Sequence, residues 1–440
     1  MLWPETTHRD EHGALTVGGI GLPALAAEYG TPLYVFDEQT VRHRASMAVA
    51  AFAEFNVPTR VAYASKALLV PAILAVLHEE GVGFDVASGG ELYAGLASGI
   101  PPSDITFHGN NKSQQELQEA IEAGVGLIAV DNEYEISLLR SLTAKLGKRV
   151  EVLVRINPGV EVHTHEKVAT GVTDSKFGFP IWTGAAKAAV SKILATPGLD
   201  LAGYHAHIGS QIFEFEAYEL TIAALLNFAA AVRDEYGFVP CIFSPGGGIG
   251  IAYEANEEEV SLRDWAAVVT KALIDGCASR NLPLPELVVE PGRSIVGPSA
   301  VAVYTVGAIK DIPGVRTYVS VDGGMADNIR PSLYGARYSA SVANRITRST
   351  GNVVTVAGKY CESGDILIRD VDLGDVTSGD LVALPAVGAY CLAMASNYNL
   401  ALRPAVVLVQ RGEPTLVRRR ERYDDLLDAD VLPVKTGLSS

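Results

Sequence analysis

Long apolar runs and paired cysteines are both missing from this chain. No apolar stretch is long enough to span a bilayer, and the first residues, MLWPETTHRDEHGALTVGG, lack the basic start and apolar core of a signal peptide. The four cysteines, Cys241, Cys277, Cys361 and Cys391, lie far apart and form no CxxC pair, so a disulfide framework is excluded. These absences predict a cytoplasmic protein with reduced thiols and no membrane partner.

Basic residues are outnumbered as well. The chain has 35 Lys and Arg against 51 Asp and Glu, a formal net charge of −16, which argues against nucleic acid or an anionic membrane as a partner. A small-molecule ligand is the better expectation. The 440 residues, 48% of them hydrophobic, exceed the usual size of one domain and predict two. No Pro-rich or Ser-rich linker marks the boundary between them.

Short β-rich runs alternate with helical or glycine-punctuated stretches through the first two thirds of the chain. There are eight such runs: RVAYAS (60–65), VGFDVAS (82–88), DITFHG (104–109), GLIAVD (126–131), VEVLVRINPG (150–159), LAGYHAHIGS (201–210), CIFSPGGG (241–248) and LVVEPGRS (287–294). Helices are predicted over 70–81, 113–124 and 133–147, the second opened by a capping box at Ser113 and Glu116. Eight strand–helix units predict an α/β fold, a (β/α)₈ barrel, over residues 38–294.

The pattern changes after about residue 295. Runs such as AVAVYTVGAIKDI, RTYVSVDGG and DLVALPAVGAY have strand character without intervening helices. We therefore predict a C-terminal, mostly-β domain over residues 295–440, resembling a sandwich or barrel. The N-terminal segment, residues 1–37, is too short to fold alone and is predicted to join that β domain.

Polar residues collect where the predicted barrel strands end. Active sites of such barrels lie at the carboxyl ends of the strands. The strand-end residues are Lys66, Asp85, Ser88, Asn110, Asn111, Arg155, Asn157, His205, His207, Glu290 and Arg293. This crowding predicts an active site on that face.

Four features of this face could act together on one cofactor. A lysine beside an apolar wall can form a Schiff base with a cofactor aldehyde, the glycines of SPGGGIG (244–250) can cradle a phosphate, and Glu290 can accept a pyridinium proton while His207 covers the ring. Each has a simpler interpretation: ordinary turns for the glycines, an ion pair with Arg293 for Glu290, a buried core histidine for His207. Together they describe a site for pyridoxal 5′-phosphate (PLP).

The sequence resembles the barrel-fold PLP decarboxylases, and among them most closely the diaminopimelate decarboxylases. The resemblance runs from YGTPLYVFDE to AVGAY through YASKA, GFDVASGGEL, HIGSQI, SPGGGIG, EPGRSIV, RPSLYGARY and CESGD. It implies Lys66 as the Schiff-base lysine, His207 against the pyridine ring and Glu290 at the ring nitrogen. It also implies that the phosphate is held by Ser210, Gly247, Gly248, Gly250 and Tyr390.

The resemblance further implies a substrate and an oligomer. Arg293, Arg330 and Tyr334 resemble the residues that hold the carboxylates of diaminopimelate, with Tyr390 close by. Cys361 and Glu362 of CESGD resemble a pair that enters the site from a second subunit, so a homodimer with shared active sites is implied. One departure stands out: Lys359 and Tyr360 precede CES where the family has Gly-Pro-x, which leaves the entry of this loop undefined.

The implied reaction is the decarboxylation of meso-2,6-diaminopimelate to L-lysine and CO₂, the last step of lysine biosynthesis. Cys361, which we favour, and Lys66 are the two candidate proton donors, and the sequence does not decide between them. Three alternatives stay open at this point: decarboxylation of another amino acid (a D-amino acid, ornithine, lysine, arginine or a carrier-linked acid), non-catalytic PLP binding, and a metal-dependent barrel hydrolase built on His163, His165, His205 and His207.

Overall fold

The computed structural model describes residues 2–160 and 174–431, and the chain forms two compact units. One unit comprises residues 2–6, Asp37–Ala300 and Pro385–Ala393, and the other comprises Thr7–Phe36, Val301–Leu384 and residues 394–431. Neither unit is continuous in sequence. The segment Pro385–Ala393 was expected in the second domain, but it clusters with the first unit.

The first unit is built around eight parallel strands that close on themselves. Each strand pairs with the next along the chain, and the last pairs with the first. The strands are Thr59–Ala64, Gly83–Val86, Ile105–Phe107, Leu127–Val130, Val150–Asn157, Leu199–His205, Ile242–Gly246 and Glu286–Val289. The predicted (β/α)₈ barrel is confirmed, and each strand begins within two residues of the start of the run that predicted it.

Helices flank the strands, and the three predicted over 70–81, 113–124 and 133–147 are confirmed. The helices are Glu38–Ala53, Pro71–Glu79, Gly89–Ala97, Gln114–Ala123, Glu133–Leu146, Ala185–Leu194, Glu216–Tyr236, Leu262–Ser279 and the single turn Arg293–Val296. The predicted capping box is formed: Ser113 Oγ accepts the Glu116 N–H at 3.2 Å, and the Glu116 carboxylate accepts the Ser113 N–H at 2.9 Å. Local sequence signals therefore set where this helix begins.

Small and branched apolar side chains from six of the eight strands form one buried core cluster. Its members are Ala62, Leu127, Leu153, Ala202, Ile242 and Val288. Interior layers of this kind fill such barrels and leave no open pore. The polar residues at the strand ends are thereby left to shape the carboxyl face.

The second unit is mostly β, as predicted. Its main sheet runs in the order Ile366–Val371, Val354–Ala357, Arg316–Val321, Ala300–Ile312, Leu33–Asp37, Ala405–Gln410 and Glu413–Arg418. Leu381–Pro385 pairs with Ala300–Ile312 and with Ser341–Val342, and a small sheet holds His8–Arg9, Leu15–Val17 and Ile20–Gly21. Its helices are Leu22–Tyr29 and the five-residue Arg330–Tyr334. Across the residues described, no helix is both long and apolar enough to cross a bilayer.

Candidate active site

A cavity of about 250 Å³ opens at the carboxyl ends of the barrel strands. Predicted site residues that line it are Lys66, His207, Ser210, Gly248, Glu290 and Arg293. Tyr390, from the returning segment Pro385–Ala393, lines it as well. The structure therefore brings together, within the first unit, residues that span more than 300 positions of sequence.

Lys66 lies in a single 3₁₀ turn directly after the first barrel strand. Its two neighbours in the turn, Ser65 and Ala67, are buried, whereas the Lys66 side chain is exposed to the cavity. The turn is held on both sides, because Ala64 N–H donates to Pro291 O at 3.3 Å and Tyr390 N–H donates to Ala67 O at 2.8 Å. The amine is thus accessible on a fixed backbone.

Glu290 is buried at the end of the eighth strand and is bonded through both carboxylate oxygens. His205 Nε2 lies 3.0 Å from Oε2, and Ser244 Oγ donates to Oε1 at 2.7 Å. Burial opposes ionisation, but the nearby His205 and these hydrogen bonds lower the pKa of Glu290 well below its usual value. A carboxylate held ionised in this way can accept a hydrogen bond from a protonated ring nitrogen.

His207 lies on the cavity wall, two residues after the sixth strand. Burial, followed by the charge of Lys66, lowers the pKa of His207 well below its usual value, so the imidazole is neutral at physiological pH. Gly247 N–H donates to His207 Nδ1 at 3.4 Å, which leaves the proton on Nε2. A neutral, oriented imidazole suits stacking against a flat ring.

The glycines after the seventh strand are required by close packing of the backbone. A Cβ on Gly247 would overlap the carbonyl oxygen of Glu290, and a Cβ on Gly248, where φ is +105°, would overlap that of Gly209. Of the three glycines predicted to donate to a phosphate, only Gly248 lines the cavity. The Gly250 N–H already donates to Ile212 O at 2.9 Å, and the Gly247 N–H to His207. Of these three glycines, the structure therefore leaves Gly248 with access to a ligand in the cavity.

Arg293 lies on the cavity wall next to Ser210 and Tyr390. Its guanidinium donates to Ser210 Oγ at 2.8 Å and to the Tyr253 hydroxyl at 2.5 Å, and it lies 4.7 Å from the centre of the Tyr390 ring. The simpler interpretation of Glu290 as the ion-pair partner of Arg293 does not match these contacts. Arg293 is grouped instead with two residues predicted near the phosphate, and its role toward substrate stays a prediction.

Several cavity residues were given no role by the sequence. Asp85 and Arg155 were noted only as strand-end residues, and His108, Glu91 and Phe177 were not singled out. Burial and then the charge of Glu290 raise the pKa of Asp85 well above its usual value, opposite to the shift of Glu290. The two carboxylates therefore differ in protonation. The position at the end of a barrel strand was the available signal for His108.

The remaining predicted site residues lie in the second unit. Arg330 is buried, donates to the Tyr338 hydroxyl at 2.5 Å and begins the helix that ends at Tyr334. Cys361 and Glu362 are exposed on their loop. His163 and His165, invoked for a metal site, lie outside the described residues.

The loop that carries Cys361 and Glu362 is tied to the segment before Arg330. Asp365 accepts the Met325 N–H at 2.6 Å and the Tyr360 N–H at 2.8 Å. The Tyr360 ring packs edge-on against Tyr398, with centroids 6.1 Å apart. The unusual Lys359 and Tyr360 therefore enter CESGD through a defined turn.

The residues of the cavity fit PLP. An accessible amine, a neutral imidazole and an ionised carboxylate line the same cavity as Gly248. In the described residues, Asp85 Oδ1, His108 Nε2 and His205 Nδ1 are buried atoms without a hydrogen-bond partner, which indicates a site shaped for a polar ligand.

Comparison with known proteins decides the family. Residues 38–297 match the family described as pyridoxal-dependent decarboxylase, pyridoxal binding domain. The diaminopimelate decarboxylase of Bacillus subtilis is 46% identical over 433 residues, 98% of each chain, and that of Mycobacterium tuberculosis is 44% identical over 439 residues, 98% of each chain. The chain belongs to the diaminopimelate decarboxylase family.

Solved structures agree with this diaminopimelate decarboxylase membership. The enzyme of M. jannaschii in co-complex with L-lysine matches with a TM-score of 0.92 and 34% identity, over 98% of this chain and 99% of that one. A lysine/ornithine decarboxylase from Vibrio vulnificus, 22% identical with a TM-score of 0.74 over 89% of this chain and 97% of that one, shares the fold. Membership of a pyridoxal-dependent family favours PLP chemistry over the metal-dependent hydrolase.

Proposed function

We propose that this protein decarboxylates meso-2,6-diaminopimelate to L-lysine and CO₂ with PLP as its cofactor. The observation that carries the proposal is the gathering of Lys66, His207 and an ionised Glu290 around one cavity. Relatives named diaminopimelate decarboxylase, similar over nearly the whole chain, support the choice of substrate. A cytoplasmic location is part of the proposal, because the product is a free amino acid for biosynthesis.

Each side chain of the cavity has a separate proposed role in binding the cofactor. When bound, PLP supplies a conjugated ring that accepts the electron pair left behind by departing CO₂. Lys66 supplies the amine that attaches the cofactor, Glu290 accepts a hydrogen bond from the ring N–H, and His207 covers a ring face. Ser210, Gly248 and Tyr390 are proposed to hold the phosphate, with Gly247 and Gly250 shaping the turn.

Both ends of the substrate carry an amine and a carboxylate, and the proposed binding residues match them. Arg293 and Arg330 with Tyr334 offer planar donors for carboxylates, and Glu362 offers an anion for the distal ammonium. Arg330 is presented on a short helix whose position is braced by Tyr338. Ornithine and lysine lack the second carboxylate, so these arginines discriminate against them.

The first prediction concerns substrate choice. Purified protein reconstituted with PLP should release CO₂ from meso-diaminopimelate with a kcat/KM about 10⁴-fold above that for L-lysine or L-ornithine, because a site built for a polar group strongly rejects an analogue that lacks it. Assays with the three substrates side by side measure this ratio. A bound PLP with no diaminopimelate turnover would reassign the substrate to another amino acid, and a protein that binds no PLP would refute the proposal.

We further propose a homodimer in which Cys361 and Glu362 of the partner subunit complete each site, with Cys361 favoured as the proton donor and Lys66 as the alternative. Both residues are exposed on a loop that is held by the hydrogen bond from Tyr360 N–H to Asp365. Their side chains are therefore accessible to a second subunit.

The second prediction tests these shared sites. Lys66→Ala and Cys361→Ala/Glu362→Gln should each be inactive, yet refolding an equal mixture should restore about one quarter of wild-type activity, since half of the dimers are mixed and one of their two sites is intact. Activity of the mixture before and after refolding is the measurement. With an affinity tag on one variant, an inactive mixture in which the untagged variant co-purifies with the tagged one would show that the sites are not shared.

A further inference from the structure

The ionised carboxylate of Glu290 is held by residues from the two preceding strands of the barrel. His205 ends the sixth strand and Ser244 lies in the seventh, and the two are paired in register. Both are almost fully buried, with exposures of 1% and 0%. Their contacts at 3.0 and 2.7 Å occupy one carboxylate oxygen each, so rotation of the Glu290 carboxylate would break a hydrogen bond on either side.

The direction of each hydrogen bond is fixed by its surroundings. The Ser244 Oγ accepts the Gly246 N–H at 3.2 Å, which leaves its own proton for Glu290. Since Glu290 is ionised, it can only accept, and His205 Nε2 must therefore carry a proton. The opposite ring atom, His205 Nδ1, is buried without a hydrogen-bond partner in the described part of the chain.

A second imidazole lies beside the first. The His108 ring centroid is 4.7 Å from that of His205, and His108 Nε2 is 3.9 Å from Glu290 and 3.5 Å from Asp85. Burial lowers the pKa of His108 well below its usual value, so this ring is neutral at physiological pH. At 3.9 Å it is too far from Glu290 for a hydrogen bond, so in the described part of the chain His205 is the histidine with a hydrogen bond to this carboxylate.

We propose that His205 is a positioning residue: its Nε2–H orients the Glu290 carboxylate and favours its ionised form, so that Glu290 can hold the ring N–H of the cofactor. Other titratable or charged groups facing Glu290 are Asp85, His108, Arg155 and His207. His108 Nε2 lies 3.9 Å from the Glu290 carboxylate, whereas His205 Nε2 is within hydrogen-bond distance at 3.0 Å. The inference rests on the proposed use of PLP.

The test compares His205→Leu with His205→Gln, whose amide can restore a donor near the position of Nε2. Apoprotein is titrated with PLP, and its affinity and absorption spectrum are recorded from pH 6 to 9, independently of turnover. The Leu variant should bind PLP about 10–100-fold more weakly, the cost of a lost hydrogen bond to a charged group, with a pH-shifted spectrum. The Gln variant should recover most of the affinity and the wild-type spectrum.

Binding of PLP to the wild-type protein tests the proposed function, and the effect of His205→Leu on that binding tests the role of His205. Wild-type protein that fails to bind PLP would overturn the proposed function itself. Wild-type binding with an unchanged affinity and spectrum in His205→Leu would overturn only the role of His205, as would equal losses in the Leu and Gln variants. Should His205→Leu not fold, judged by circular dichroism, His205→Asn, whose amide is too short to reach Glu290, takes its place with the same expectations.

Discussion

Replacing Lys66 by alanine is expected to lower kcat by about 10⁴-fold, the upper end of what a positioned proton-transfer group contributes, and to abolish covalent attachment of the cofactor. The side chain is exposed to the cavity while its neighbours are buried, so the fold should survive the change. Borohydride treatment followed by mass spectrometry of the peptide around residue 66 measures attachment, and a CO₂-release assay measures turnover.

Lys145→Ala serves as the control for this substitution. Lys145 is also exposed, but it lies on the outer helix Glu133–Leu146. Its loss should leave both the reduced adduct at Lys66 and the rate unchanged. Turnover by Lys66→Ala at a rate near that of the control would refute the assignment of Lys66.

Replacing Lys112 by methionine is expected to lower the free energy of unfolding by about 3–5 kcal/mol, the cost of leaving a buried charge without its partner. Lys112 Nζ lies 2.6 Å from Glu135, both side chains are 1% exposed, and the ammonium also donates to Gly109 O and Ala129 O at 2.8 Å. Denaturant unfolding monitored by tryptophan fluorescence gives the change.

An exposed pair of equal length provides the matched control. Lys187 Nζ also lies 2.6 Å from its partner, Glu235, but their side chains are 41% and 47% exposed, so Lys187→Met should change stability little. The double variant Lys112→Met/Glu135→Leu should regain part of the loss, because no uncompensated carboxylate remains. Equal effects of Lys112→Met and Lys187→Met would show that burial does not determine the strength of this pair.

The barrel could be predicted because each strand is a short apolar run that ends in polar residues, and the first four runs recur at a regular spacing. Lys66, His207 and Glu290 could be found for the same reason, since the fold places strand ends together. Contacts made across the barrel could not be foreseen. His205 and Glu290 are 85 positions apart, and only the pairing of the strands shows that these two side chains meet.

Other features depended on backbone geometry that the sequence does not encode locally. A run of glycines predicts close approach, but the direction of each N–H is set by the turn, and that of Gly250 points to Ile212 O. Asp85 is an ordinary carboxyl in sequence. Its raised pKa arises from burial near Glu290, which depends on the closed barrel.

The return of Pro385–Ala393 to the barrel unit has a consequence for how the protein is made. Tyr390, whose N–H donates to Ala67 O next to Lys66, is synthesised after nearly nine tenths of the chain. A ribosome that has translated every barrel strand has therefore not yet produced a finished cofactor pocket. Truncation after the eighth strand would likewise remove a wall of the pocket, so the catalytic half cannot be separated as an N-terminal fragment.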